Sequence, residues 1–156
     1  MKKISLFLVF CILVMAVTGC GKSNSAGEDA EPTTMGTKLA KTFSDSIDQG
    51  KDMGKTMELL IEQSGFDCGT MECEEGFLNG FSGEITGFSS ATMFAPFIGS
   101  IPFVGYVFVT DDTSALKDKL AAQADPRWNI CTEAEETVIE EKGNYVFFVM
   151  CPGEDF

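Results

Sequence analysis

The stretch Ile101–Thr110, which reads IPFVGYVFVT, is apolar almost throughout and decides the fold. A second run of the same kind, Tyr145–Met150 (YVFFVM), lies further along the chain. Aromatic and β-branched residues without polar alternation are typical of strands that are covered on both faces. We therefore expect both runs to be central strands of a sheet, with Pro102 tolerated at the start of the first.

The residues around these runs predict a helix and a hairpin. Residues 111–113 (DDT) supply an N-cap and acidic groups for a helix over 114–124, which Asp125-Pro126 would end. The segment Glu133–Glu141 is predicted to form a hairpin with Asn144–Cys151 around a Lys142-Gly143 turn. Because the first hairpin strand is strongly acidic, we expect it at a solvent-exposed sheet edge.

The first half of the domain is predicted to supply one long helix and one strand. Apolar residues recur at spacings of three and four over Lys38–Gln63, which indicates an amphipathic helix. Gly50 and Gly54 lie on its apolar stripe, where they either admit a neighbouring backbone or break the helix. A strand is expected over Ser82–Phe88, with Ile85 facing inward.

These elements predict a single α+β domain with a four-stranded antiparallel sheet. Placing the two apolar strands inside gives the strand order 1-2-4-3. The helix over 114–124 then crosses over one intervening strand, which makes a split βαβ unit. The expected architecture is thus a sheet with a long N-terminal helix and a crossover helix.

The first 35 residues are predicted to be a targeting signal followed by a tether. Lys2 and Lys3 precede the uncharged run Ile4–Val17, which is short for a membrane span and fits a secretory signal. An uncleaved signal anchor is the alternative reading of this run. The sequence Val17-Thr18-Gly19-Cys20 resembles the lipobox of bacterial lipoproteins, which implies a lipid on Cys20 and loss of residues 1–19.

Residues 20–35 then form a polar, acidic tether, and residues 36–156 form the domain. Two acyl chains hold a protein stably on a bilayer, whereas one holds it marginally. We expect the protein to be anchored on the extracytoplasmic face of the cell membrane, with the membrane as a partner through the lipid on Cys20.

Three further segments resemble small lipoproteins of Gram-positive anaerobic gut bacteria. They are residues 98–108 (IGSIPFVGYVF), 124–131 (ADPRWNIC) and 143–149 (GNYVFFV). The resemblance covers about the last two thirds of the chain together with the lipobox. It implies envelope localisation and assigns no activity, cofactor or site.

Composition excludes several classes of chemistry. The chain has no histidine, which removes Ser-His-Asp and Cys-His catalysis and every His-ligated metal site. Its formal net charge of −13 argues against a nucleic-acid partner. No cofactor is expected. The acids of 133–141 are read as a solvated edge strand rather than a calcium site, because they lack the alternating ligands of an EF-hand loop.

Four cysteines lie beyond the tether: Cys68, Cys73, Cys131 and Cys151. The hairpin register places residue 134 opposite Cys151, which brings Cys131 within three residues of pairing. This favours a Cys131–Cys151 disulfide and, by exclusion, Cys68–Cys73. Free thiols and a four-cysteine zinc site remain as alternatives.

The function expected from the sequence is that of a non-catalytic binding or scaffolding domain for an unknown envelope protein or ligand. The alternative is an extracytoplasmic thiol–disulfide protein that uses Cys68 and Cys73. The apolar residues Met93, Phe94, Phe97 and Ile98 fall in a stretch assigned to no element. They are expected to form either a lid over the open sheet face or an exposed patch for a partner or the membrane.

Overall fold

A computed structural model describes residues 33–153, which contain three helices and a five-stranded antiparallel sheet. In chain order the elements are α1 (Met35–Asp48), α2 (Met53–Ser64), β1 (Cys68–Cys73), β2 (Gly76–Phe77), β3 (Glu84–Ile85), β4 (Ser90–Pro96), β5 (Val104–Val109), α3 (Thr113–Gln123), β6 (Glu136–Lys142) and β7 (Tyr145–Cys151). Strands β2 and β3 pair with each other as a separate two-stranded ribbon.

The strand order of the main sheet is β1-β4-β5-β7-β6. The predicted α+β class is confirmed, and both apolar runs, β5 and β7, lie inside the sheet. Strand β7 lies between β5 and β6, so the connection through α3 is the expected split βαβ unit. The acidic strand β6 is at an edge, as predicted.

The predicted four strands and their order 1-2-4-3 are wrong on the other side of the sheet. The neighbour of β5 there is β4, not the segment Ser82–Phe88. Glycines at positions 83 and 87 interrupt that segment, and its two paired residues belong to the ribbon. Ile85 is nevertheless fully buried, as expected, because the ribbon packs it beneath α3.

The segment that carries the first two cysteines of the domain is a strand as well. Residues Cys68–Cys73 form β1, which pairs with β4 from Cys68 opposite Pro96 to Cys73 opposite Ala91. The sequence of β1 lacks the apolar alternation that predicts a strand, because an edge strand buries little of either face. The sheet therefore has a second edge at β1.

The long helix predicted over Lys38–Gln63 is two helices. The break falls at Gly50, whose φ of 66° lies in the left-handed region that favours glycine. Asp52 then caps α2 by accepting a hydrogen bond from the backbone N–H of Lys55 at 2.8 Å. Of the two roles predicted for these glycines, the helix break is therefore the one found in the structure, rather than close approach of a neighbouring backbone.

The apolar core lies on both faces of the sheet. Helices α1 and α2 cover one face, where Phe43 stacks on Phe147 with ring centroids 5.3 Å apart. Helix α3 and residues 78–88 cover the other, where Tyr106 stacks on Phe108 at 5.3 Å. The alternation of side chains along β5 and β7 supplies both cores, which explains why these two strands are apolar throughout.

Candidate functional site

Cys20 lies outside the described residues, and so do the predicted signal peptide and the tether up to residue 32. The described chain begins one residue before Thr34, the N-cap of α1. Among residues 33–153 no helix is both long enough and apolar enough to cross a membrane.

The predicted pairing of Cys68 with Cys73 is wrong. The two residues lie at opposite ends of β1, so their Cα atoms are separated by about 16 Å at the rise of an extended strand. Their side chains also contact the cores on opposite faces of the sheet. A disulfide requires Cα atoms within about 7 Å, and both cysteines are free thiols.

Cys131 and Cys151 are free thiols too. The hairpin turn falls at Gly143 and Asn144, one residue later than predicted, so Cys151 lies opposite Glu136. Cys131 is thus five residues from that register position, rather than three. Its side chain is exposed, whereas Cys151 is fully buried against the α1 face. The predicted proximity of these two cysteines depended on a register that the hairpin does not have.

The apolar stretch 92–98 divides between core and surface. It is not a lid, because residues 92–96 belong to strand β4 within the sheet. Phe94 is fully buried and lies over Gly105, where an added Cβ would be 2.2 Å from the Phe94 ring. Met93 is half-buried on the α3 face. Phe97 and Ile98 follow the strand and remain exposed.

An exposed apolar surface lies at this end of the sheet. We call it the apolar tip and define it by Phe97, Ile98 and Ile130, whose exposed fractions are 73%, 64% and 100%. Sequence analysis singled out the first two residues and missed Ile130. The signal for Ile130 was present, since it is a large apolar residue in a loop between the polar residues Asn129 and Cys131.

Two loops form the apolar tip and are hydrogen-bonded to each other. The side-chain amide of Asn129 donates to the carbonyl of Gly99 at 2.6 Å, and the hydroxyl of Thr132 donates to that of Ser100 at 3.1 Å. The backbone N–H of Phe97 donates to the carbonyl of Asp67 at 3.1 Å, which ties the first loop to the start of β1. These bonds place the two loops that carry the three apolar side chains beside each other at this end of the sheet.

A cleft of about 840 Å³ lies at the other end of the sheet. We call it the acidic cleft; it is lined by Met53, Glu72, Cys73, Glu74, Glu75, Phe88, Ser89, Ser90, Ala91, Thr92, Val107, Val109 and Tyr145. The cleft contains the start of β4, whereas the apolar tip follows its end. At the rise of an extended strand, β4 separates the two sites by about 20 Å.

The acidic cleft presents carboxylates and hydroxyls beside an apolar floor. Glu75 is held in place, because one of its carboxylate oxygens accepts hydrogen bonds from the backbone N–H groups of Gly87 and Phe88. Burial raises the pKa of the Cys73 thiol, which keeps it protonated and a poor nucleophile at neutral pH. The cleft therefore suits ligand binding better than thiol chemistry. Sequence analysis missed it because β1 and β4 were not predicted as strands.

No group of three or more acidic or cysteine side chains in residues 33–153 is arranged to hold a metal ion. Strand β6, which carries several of the predicted acids, is an edge strand in which only Thr137 and Glu141 are exposed, and half-buried side chains on it pair with neighbours. Lys142 at the end of that strand, for example, lies 2.9 Å from the carboxylate of Asp48.

Comparisons with known proteins give no family. The sequence matches no protein-family model, and neither a curated protein nor a solved structure is significantly similar to the chain. Function is therefore argued from the chain's own residues.

Proposed function

We propose that the chain is a membrane-anchored, extracytoplasmic lipoprotein whose α+β domain is a non-catalytic binding or scaffolding domain. The observation that carries the anchor is the lipobox-like run Val17-Thr18-Gly19-Cys20 after a basic start and an uncharged stretch. The tether joins Cys20 to the N-cap of α1, so the domain begins within a short chain length of the lipid.

The acidic cleft supports the binding part of the proposal. Its volume of about 840 Å³ lies within the range of small-molecule sites, which is about 300–1,000 Å³. Carboxylates of Glu72, Glu74 and Glu75 favour a cationic ligand, and the hydroxyls of Ser90 and Thr92 add hydrogen-bonding groups. A ligand that carries positive charge and hydrogen-bonding groups fits this lining best.

No observation favours the thiol–disulfide alternative. An exchange reaction needs two thiols that can bond to each other, and Cys68 and Cys73 lie on opposite faces and at opposite ends of β1. Burial also raises the pKa of both thiols. Cys68 and Cys73 therefore do not form the reactive pair that the thiol–disulfide alternative requires.

The anchor is tested by mass spectrometry of the N-terminal peptide of the mature protein. We expect a diacylglyceryl mass on Cys20, and Cys20→Ser is expected to shift the protein from the membrane fraction to the precursor or the medium. A mature peptide that lacks the acyl mass would refute the anchor.

The binding role is tested by recovering partners of the intact lipidated protein and comparing two charge reversals. Glu74→Lys lies in the acidic cleft, whereas Glu62→Lys changes charge equally on the exposed surface of α2. Loss of a partner with the first variant and its retention with the second supports binding in the cleft. Equal recovery with both variants would exclude the cleft as the binding site.

A further inference from the structure

The apolar tip exposes large apolar side chains on a chain that is otherwise strongly acidic. Large apolar side chains on exposed loops are costly to leave in water, and a cluster of them marks an interaction surface. Phe97, Ile98 and Ile130 account for three of the five large hydrophobic residues that are exposed among residues 33–153. The other two, Met71 and Phe77, lie elsewhere on the domain, in β1 and β2.

The two loops of the tip also lack charged side chains. Residues 97–103 (FIGSIPF) and 128–132 (WNICT) contain no Asp, Glu, Lys or Arg, although the chain has 35 such residues. Arg127, next to the second loop, forms an ion pair with Glu133 at 2.9 Å. Loops without charges are suited to an apolar environment, because burying an unpaired charge is far more costly than burying an apolar group. The exposed acid Asp67 and the Arg127–Glu133 pair border these loops.

The end of the sheet that carries the tip is also the end at which the domain is joined to its tether. Helix α1 starts beside the first residue of β6, since the backbone N–H of Gly36 and the hydroxyl of Thr34 both donate to the carboxylate of Glu136. Strand β6 begins at Glu136, four residues after the end of the tip loop that contains Ile130. The tip and the point where residue 33 enters the domain are therefore at the same end of the sheet.

The length of chain between the lipid and the domain limits the distance of this end from the bilayer. Fourteen residues, Cys20 to Thr33, reach at most about 50 Å when fully extended. The acidic cleft lies about 20 Å from the tip, at the other end of β4. Of the two ends of the sheet, the one that carries the tip is therefore the one nearer to Cys20 along the chain.

We infer that the apolar tip inserts Phe97, Ile98 and Ile130 into the interfacial region of the bilayer that holds the lipid anchor. This inference rests on the proposed lipid anchor and names a second, protein-borne membrane contact. It fixes the orientation of the domain, because tip insertion turns the acidic cleft away from the lipid surface. The negative charge of the remaining surface keeps the rest of the domain off an anionic bilayer.

The test uses the mature lipidated protein in vesicles of phosphatidylethanolamine and phosphatidylglycerol that carry a nitroxide near the headgroup. In a Trp128→Phe background, a single tryptophan is placed by Phe97→Trp, by Ile130→Trp or, as a control, by Phe77→Trp. Phe77 is 77% exposed and follows the cleft end of β1, so it matches Phe97 in type and exposure. Circular dichroism checks that each variant is folded.

We expect nitroxide quenching and a blue-shifted emission at positions 97 and 130, and neither effect at position 77. Equal quenching at all three positions would overturn the inference. A blue shift at 97 and 130 without quenching would also overturn it, in favour of a second copy or a protein partner on the tip.

A measurement without tip substitutions uses the native thiol of Cys131, which is exposed next to Ile130. A fluorophore on Cys131 is expected to be quenched by the same lipids, and an unquenched label would contradict tip insertion. The acyl mass on Cys20 is measured first on the same sample. If it is absent, the proposed anchor fails and the inference fails with it; if it is present and quenching is absent, the inference alone fails.

Discussion

The carboxylate of Glu136 accepts a hydrogen bond from the backbone N–H of Gly36 at 2.8 Å, across 100 residues of sequence. Its other oxygen accepts from the hydroxyl of Thr34 at 2.6 Å. An acidic side chain on β6 therefore accepts a hydrogen bond from the first turn of α1. The N–H groups of a first turn have no acceptor within the helix, and the helix dipole there favours negative charge. This contact joins the end of the tether to the sheet.

The first prediction concerns this contact. Glu136→Ala removes an acceptor from a charge-assisted hydrogen bond and is expected to lower the free energy of unfolding by about 1–3 kcal/mol. Glu141→Ala, on the same strand but exposed, is the control and is expected to change it by less than about 0.5 kcal/mol. Urea denaturation measures both. Equal effects of the two substitutions would show that the Glu136 contact adds no stability.

Gly36→Ala tests the same contact from the helix. A Cβ at this position would lie 2.7 Å from the carboxyl carbon of Glu136 and from a methyl group of Val138. We expect a loss of about 1–3 kcal/mol, because strand side chains must move. Since the two residues are in contact, the double variant with Glu136→Ala should be destabilised by less than the sum of the single effects. Additive losses would contradict the coupling.

The next prediction separates Phe94 from Phe97. Phe94 is fully buried and packs edge-on against Phe103 with ring centroids 5.5 Å apart, so Phe94→Ser is expected to cost at least about 3–5 kcal/mol. Phe97→Ser changes an exposed ring and is expected to leave the melting temperature of the protein in detergent nearly unchanged. Thermal unfolding measures both. A large loss for Phe97→Ser would show that its ring is part of the core.

The strands that the sequence predicts well are those buried on both faces. Residues of β5 and β7 are apolar at every position because each face meets a separate core, so their place inside the sheet is readable from composition alone. The acidic pattern of β6 likewise places it at an edge. The split βαβ unit follows from these three strands and the cap of α3 by Asp112.

The rest of the sheet depends on contacts distant in sequence. Pro96 and the small residues of β4 indicate a loop locally, yet pairing with β1 and β5 makes 90–96 a strand. The register of the β6–β7 hairpin depends on the turn. Placing it one residue too early shifted every pairing by two, and the predicted proximity of Cys131 and Cys151 depended on that shifted register. The acidic cleft could not be predicted, since it forms between strands that local patterns do not reveal.

Thiol reactivity is expected to follow burial. Cys131 is exposed and should be alkylated first in the native protein, whereas Cys151 is fully buried and should react only after unfolding. Cys68 and Cys73 are half-buried with raised pKa values and should react at intermediate rates that increase with pH. Mass spectrometry after timed alkylation under reducing pretreatment identifies each site. Modification of Cys151 at the rate of Cys131 would contradict the register of β7.

The last prediction is a loss of stability at alkaline pH. Burial, followed by the nearby carboxylate of Glu136, raises the pKa of Cys151 far above its ordinary value of about 9. The folded protein therefore keeps the thiol proton that the unfolded chain releases above pH 9. The stabilisation is complete below that pH and decreases as pH rises, with a slope of at most about 1.4 kcal/mol per pH unit for one thiol.

Urea denaturation with a thiol reductant between pH 7.5 and 10 measures this slope. The window ends at pH 10 because burial also raises the pKa of Tyr106, whose phenol would add to the slope at higher pH. Cys151→Val keeps an apolar side chain of similar size and removes the titrating group, so its stability should depend less steeply on pH. The half-buried thiols of Cys68 and Cys73 remain in the variant and account for the slope that is left. Identical slopes for the variant and the wild-type protein would show that Cys151 is ionised as readily in the folded protein as in the unfolded chain.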